Sequence, residues 1–218
     1  IILIFKMAFK NLADALIEIG FQHSTNSENR EKIIFEATKN KTRVVISGDQ
    51  KRSEITSVIL HVLNFHNVQA DFIIGENYEK ASLSTENDFV IIEAKASENL
   101  ENLRANIALI TNISNDENIG NYKNFIYKIT AGGVLVYNQE HKNLTDLAEN
   151  SENYFRKFPY QKPAYTTKND IFFLETELGE IPLKNSDLEV INHMEGARYI
   201  CQQLGILEEN FYEALLSL

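Results

Sequence analysis

Residues Val44 to Leu63, VVISGDQKRSEITSVILHVL, join a run of buried-type residues, a glycine at 48 and a helical pattern that opens on a hydroxyl residue, Ser53. A strand, a glycine turn and a helix start, in that order, are the layout of a phosphate-binding loop, where backbone N–H groups and the helix dipole converge on an anion. Gly48, Arg52 and Ser53 are the residues that would bind phosphate there. Their neighbours oppose it. Lys51 stands where such a loop needs a second glycine, so that the backbone can approach the phosphates without a Cβ in the way. Arg52 stands where a compact lysine charge belongs, and a planar guanidinium does not reproduce that point charge. Asp49 and Glu54 add negative charge at the helix start, which suits the dipole but repels a polyphosphate. Two readings stay open: the acids cap a helix, or the loop retains anion binding.

Other chemistry-bearing residues give weaker signals. His23, His61, His66, His141 and His193 are scattered without metal-ligand spacing and read as structural or solvated. Cys201 is the single cysteine, so no internal disulfide forms, and its place on an apolar helical stripe makes it a core residue rather than a nucleophile. No G-x-S-x-G, Cys-His pair or H-E-x-x-H is present.

The elements that must position the loop follow from hydrophobic patterning. RVVIS (43–47), DFIIG (71–75), FVIIEA (89–94), IALIT (107–111) and GVLVY (133–137) are short Val- and Ile-rich runs, as in strands buried on both faces. Helical stretches fall between them near 53–66, 97–104 and 119–130. This alternation predicts an α/β fold with a mostly parallel, doubly wound sheet. Near 152–184, YFRKFPYQKPAYTT and DIFFLETELGEIPL predict a small antiparallel subregion, with Pro159, Pro163 and Pro182 at edges or turns and Gly179 at a hairpin. A helix through Ile191, Met194, Cys201 and Leu204 is stopped by Gly205, and a last one runs near 208–216. The first forty residues predict a strand (2–5) and helices over 8–19 and 28–38, too little to close alone and expected to pack on the main sheet or on another subunit. The stretches 24–31 and 146–153 read as loops.

With 218 residues, 44% of them hydrophobic, the chain can bury a sizeable core. A net charge of −10 without clustered Lys and Arg excludes sequence-independent nucleic-acid and anionic-membrane partners. The opening IILIF is far too short to span a bilayer and lacks the features of a secretory signal. A reducing cytoplasm fits.

The segment RVVISGDQKRSEITSVILHVL resembles the start of the central, ATP-binding domain of the Mur ligases, the enzymes that add amino acids or peptides to UDP-N-acetylmuramic acid. It is most similar to the muramate:tripeptide recycling branch, with its V-V-I-x-G-x-H-G-K-T-T-I-T-S-M-I-L-H-V-L. DFIIG, VIIEA, IALITNISND, AGGVLVYN and HMEGARYICQQLGILEENFYEAL resemble later segments of that domain in order. MAFKNLADALIEIGF is similar to the first helix of the family's UDP-binding domain. The resemblance implies that residues 1–40 are a remnant of the UDP-binding domain, that 41–218 form the central domain, and that the C-terminal ligase domain is absent. It makes Gly48, Arg52 and Ser53 a vestigial phosphate loop and Glu93 and Glu117 the metal ligands if Mg²⁺ is bound. The acidic pair after the family's glutamate is replaced by Lys95 and Ala96, the histidine after Asp116 becomes Glu117, and the adenine-side His-Asn falls at Glu189 and Val190 with a later asparagine at His193.

Two functions follow as expectations. One is a degenerate Mur-ligase-like protein without ligase activity or resident cofactor, serving as a binding or assembly protein in peptidoglycan metabolism, as a homodimer or with another protein. The other is a trimmed ATP-dependent muramyl-peptide ligase or nucleotide hydrolase that uses ATP and Mg²⁺.

Overall fold

The structure, a computed structural model, describes residues 9–21, 30–96, 99–183 and 187–218. In chain order its helices are α1 (Leu12–Glu18), α2 (Arg30–Thr38), α3 (Arg52–Phe65), α4 (Ile119–Tyr127), α5 (Lys142–Glu149), α6 (Leu188–Ile191), α7 (Met194–Gln203) and α8 (Glu208–Leu215). Its strands are β1 (Thr42–Ser47), β2 (Asp71–Ile74), β3 (Lys80–Ser82), β4 (Phe89–Ala94), β5 (Ile107–Ile110), β6 (Val134–Asn138), β7 (Arg156–Tyr160), β8 (Tyr165–Lys168), β9 (Ile171–Thr176) and β10 (Gly179–Leu183). The first seven strands form one sheet in the order β3-β2-β4-β1-β5-β6-β7, and the last three a small sheet in the order β10-β9-β8.

The large sheet is parallel except for β3. Successive residues of each strand point to opposite faces, and both faces are covered. Val44 and Ile46 of β1 join one core with Ile55, Ile59 and Leu63 of α3, Ile200 and Cys201 of α7, and Phe211 of α8. Val45 points the other way, into a second core with Leu16 of α1, Ile34 of α2, Phe125 of α4 and Leu144 of α5. The strands therefore read as unbroken apolar runs, while α3 buries a stripe at helical spacing. Truncating Ile59, which has no solvent exposure, to alanine costs about 2–5 kcal/mol by the usual cavity and transfer terms.

The five predicted core strands and the α/β class are present, and the N-terminal helices do pack on the main sheet. Four differences have local causes. The antiparallel subregion is confined to β8–β10: β7 instead extends the parallel sheet beside β6, where an edge strand tolerates Pro159. The stretch 146–153 begins as helix, because α5 buries Leu144 and Ala148 four residues apart beneath a polar face. The short antiparallel edge strand β3 has too few residues to show a period. The predicted helix over 97–104 is a 3₁₀ turn at Leu100–Leu103, with 97 and 98 outside the described residues. The predicted strand 2–5 also lies outside them.

Candidate functional site

Strand order fixes where a site can lie. The chain leaves β1 for α3 on one face of the sheet and leaves β5 for α4 on the other. The carboxyl ends of β1 and β5 therefore flank a crevice of the kind in which open α/β sheets bind ligands. The predicted loop, Gly48 to Ser53, forms one wall, and Thr111 to Asn118 form the other.

That crevice is stitched across by hydrogen bonds. The N–H groups of Asp49 and Gln50 both donate to Asn112 Oδ1, each at 3.1 Å. Asp49 reaches the opposite way: its Oδ2 accepts from the backbone of Ser114 (2.6 Å) and Asn115 (3.1 Å), and its Oδ1 from the Asn118 side chain (3.3 Å). The loop amides thus hold a carboxamide oxygen of their own chain, and the loop acid fills an anion-binding turn of the facing wall. Gly48 makes this approach possible. A Cβ at that position would lie 1.9 Å from Thr111 Oγ1, and its φ of +150° is one that side-chain-bearing residues rarely adopt.

Arg52 and Ser53 turn toward β4. Glu93, one residue before the end of β4 and only 4% exposed at its side chain, accepts the Ser53 hydroxyl on Oε1 and the Gly75 N–H on Oε2 at 3.3 Å. Arg52 Nε lies 3.2 Å from the same Oε1, at an angle outside hydrogen-bond geometry, so charge attraction holds the pair. Arg52 Nη1 donates back to Gly48 O at 3.3 Å. The structure therefore brings Gly48, Arg52, Ser53 and Glu93 together.

Glu117 is set apart from them. It is exposed on a short 3₁₀ turn and bonds to Asn115. Both Glu93 oxygens are engaged by protein groups, and among the described residues no grouping of three or more His, Cys, Asp or Glu is arranged to hold a metal ion. This arrangement does not fit the divalent cation that the resemblance implies at Glu93 and Glu117.

Lys51 is the residue before α3 and adopts a left-handed conformation, φ 56°, of the kind glycine takes without strain. Its side chain swings away from the loop to Asp187 (2.7 Å) and the more distant Glu54 (3.5 Å). The hydrogen bond from Lys51 holds the Asp187 carboxyl below its ordinary range and raises the Lys51 ammonium in turn. Of the two acids expected to cap α3, Glu54 does lie in its first turn, where it suits the dipole, but neither forms a side-chain hydrogen-bond cap. Asp49 bonds across the crevice, Glu54 faces Lys51, and the residue preceding α3 makes no side-chain cap.

His61, His66 and His193 are structural. His61 and His66 bond to the backbone of α8 and its end. His193 is buried against the Tyr160 hydroxyl at 3.0 Å, and burial, with His141 nearby, lowers its pKa to about 4. Cys201 has no solvent exposure, and burial raises its thiol pKa. A cleft of about 590 Å³ between α4 and α5, floored by Ile126 and Leu147, is lined by none of the loop residues.

Sequence reasoning missed Asn112, Thr111 and the amides of Ser114 and Asn115. The available signal was a Thr-Asn pair directly continuing a buried strand, since polar residues at a strand's carboxyl end face the crevice.

The sheet order, the loop after β1 and its carboxylate on β4 define an α/β domain of phosphate-loop architecture. No family model matches the chain. It is 33% identical over 101 residues, 44% of its length, to the UDP-N-acetylmuramate–L-alanine ligase of Wolbachia sp. subsp. Brugia malayi, and 22% identical over 213 residues, 86% of its length, to the ligase of the same name from Dictyoglomus turgidum. Those matches cover 19% and 46% of the two enzymes, so the chain spans less than half the length of either curated relative. Among solved structures, a murein peptide ligase from Psychrobacter arcticus superposes with a TM-score of 0.74 at 12% identity, covering 95% of this chain and 52% of that one. A MurF ligase from Thermotoga maritima, in complex with ADP, gives 0.69 at 11% identity over 90% and 53%. The chain is a relative of the Mur ligases and has their fold. Among the described residues no helix is long and apolar enough to cross a membrane.

Proposed function

We propose that this chain is a Mur-ligase-like protein that does not transfer phosphate and acts as a binding or assembly protein in cytoplasmic peptidoglycan metabolism. Residues 1–40 are its remnant of a UDP-binding domain. It works as a homodimer or with a protein partner, not with nucleic acid or membrane. One observation carries the reading: the amides of Asp49 and Gln50, which a phosphate would need, are bonded to Asn112 Oδ1. A ligand must displace that carboxamide and separate Asp49 from Ser114 and Asn115 before it meets those amides. Breaking several charge-assisted bonds of this kind takes about 1.5–3 kcal/mol each.

A second reading has its own support. The start of α3 is uncapped, and its dipole still favours an anion. A trimmed ATP-dependent muramyl-peptide ligase or nucleotide hydrolase would use Gly48, Arg52 and Ser53 there. Calorimetry with Mg-ATP, ADP and UDP-N-acetylmuramate, beside light scattering on the same sample, separates the two. No heat together with a stable oligomer or a captured partner supports assembly. Saturable Mg-ATP binding that weakens in Arg52→Ala supports the enzyme and defeats the first reading. A strictly monomeric chain that captures nothing also counts against assembly.

A further inference from the structure

The carboxyl ends of β1 and β4 bring a buried carboxylate up against a tethered cation. Glu93 is 4% exposed at its side chain and Arg52 only 15%. An uncompensated carboxylate in such a place is strongly unfavourable, so some positive charge must face it. Lys95, two residues along the chain from Glu93, is paired with Glu76 at 2.8 Å, and among the described residues Arg52, with Nε 3.2 Å from Oε1, is the cation that forms an ion pair with Glu93. That same oxygen also takes the Ser53 hydroxyl. A carboxylate oxygen beside a hydroxyl at the start of a helix is a pair of hard oxygen donors of the type that small divalent cations bind, with water completing the shell.

We propose that the Arg52 guanidinium permanently takes the place of a divalent cation between Glu93 and Ser53, so that the protein binds no metal there while Arg52 is charged, and that removing this charge uncovers a divalent-cation site. Two features hold the guanidinium in place. Its Nη1 is anchored to Gly48 O, which the close approach to Thr111 fixes in turn. The guanidinium is also tethered to the backbone, so it cannot exchange with ions in solution. A mobile, exchangeable ion has thereby become a covalent part of the chain. The inference rests on the reading that the loop does not transfer phosphate.

The test uses Mn²⁺ alone, without nucleotide, followed by the loss of free Mn²⁺ signal in electron paramagnetic resonance. Wild type is compared with Arg52→Gln, Glu93→Gln and the double variant. Weak binding to the acidic surface is common to all four, so the readout is the Glu93-dependent part. Arg52→Gln is expected to bind one Mn²⁺ per chain about tenfold or more tightly than wild type, and the double variant to lose that gain. Mg²⁺ should raise the unfolding temperature of Arg52→Gln and leave wild type unmoved. Glu93-dependent Mn²⁺ binding in wild type, or a folded Arg52→Gln without the gain, overturns the proposal. Should Arg52→Gln fail to fold, wild type against Glu93→Gln decides alone: equal binding supports the proposal, and loss in Glu93→Gln overturns it. ATP binding to wild type would defeat the assembly reading without touching this titration.

Discussion

Gly48→Ala tests the loop geometry on which the site depends. Two penalties combine. An alanine at φ +150° carries backbone strain of about 1–3 kcal/mol. Its Cβ would sit 1.9 Å from Thr111 Oγ1 and 3.1 Å from Thr111 Cβ and Asn112 Oδ1, and overpacking of this kind costs about 1–3 kcal/mol more. The threonine cannot turn aside without loss, because its hydroxyl lies 3.2 Å from Gln50 O and 3.1 Å from Asn112 Oδ1. The expected destabilisation is about 2–6 kcal/mol, a large share of the roughly 5–15 kcal/mol that holds a domain folded. In urea, with a slope of roughly 2 kcal/mol/M, the midpoint should fall by about 1–3 M. Thr111→Ala removes the closest contact but not the backbone strain. The double variant should therefore be less destabilised than the sum of the singles, by about 1 kcal/mol or more. A Gly48→Ala unfolding free energy within about 0.5 kcal/mol of wild type, or strict additivity with Thr111→Ala, would refute the packing of the loop against β5.

Four further outcomes follow from the same geometry. Asn112→Ala should lose about 1–3 kcal/mol in urea denaturation, because it strips the acceptor from two loop amides, and should gain calorimetrically detectable binding of inorganic phosphate. A double-mutant cycle on Arg52→Ala and Glu93→Gln should give a coupling of about 1–3 kcal/mol, since each single change leaves a partly buried group without its partner; a coupling near zero would mean that the ion pair does not form. His193 has a folded pKa of about 4 against 6.5 for the free group. Between those values the unfolded chain binds a proton that the native chain does not, so stability falls as pH drops from about 6.5 toward 4, by on the order of 3 kcal/mol in total. His193→Gln should flatten that part of the pH–stability curve relative to wild type. Cys201, fully buried with a raised thiol pKa, should resist aromatic disulfide reagents in the native protein and react stoichiometrically once the chain is unfolded.

The sequence by itself determined the five core strands, the helix after the first of them and their order. Valine and isoleucine runs such as 89–94 can only be strands buried on both faces, and the stripe from Ile55 to Leu63 can only face a core, because each period is local to a few residues. It also placed Gly48, Arg52 and Ser53 at one strand-to-helix turn and Glu93 near a strand end. The tertiary structure alone decided what those residues touch. Asn112 meets the loop amides from 63 residues away, Asp49 closes on Ser114 from 65, and Ser53 finds Glu93 across 40. These meetings depend on β1 lying between β4 and β5 in register, Ile46 beside Glu93 and Leu109, which no local pattern encodes. For the same reason Asp49, a helix-capping acid by its position in the sequence, became a clasp across the crevice, and Arg52, read as a poor substitute for a phosphate-binding lysine, became the counter-ion of a buried carboxylate.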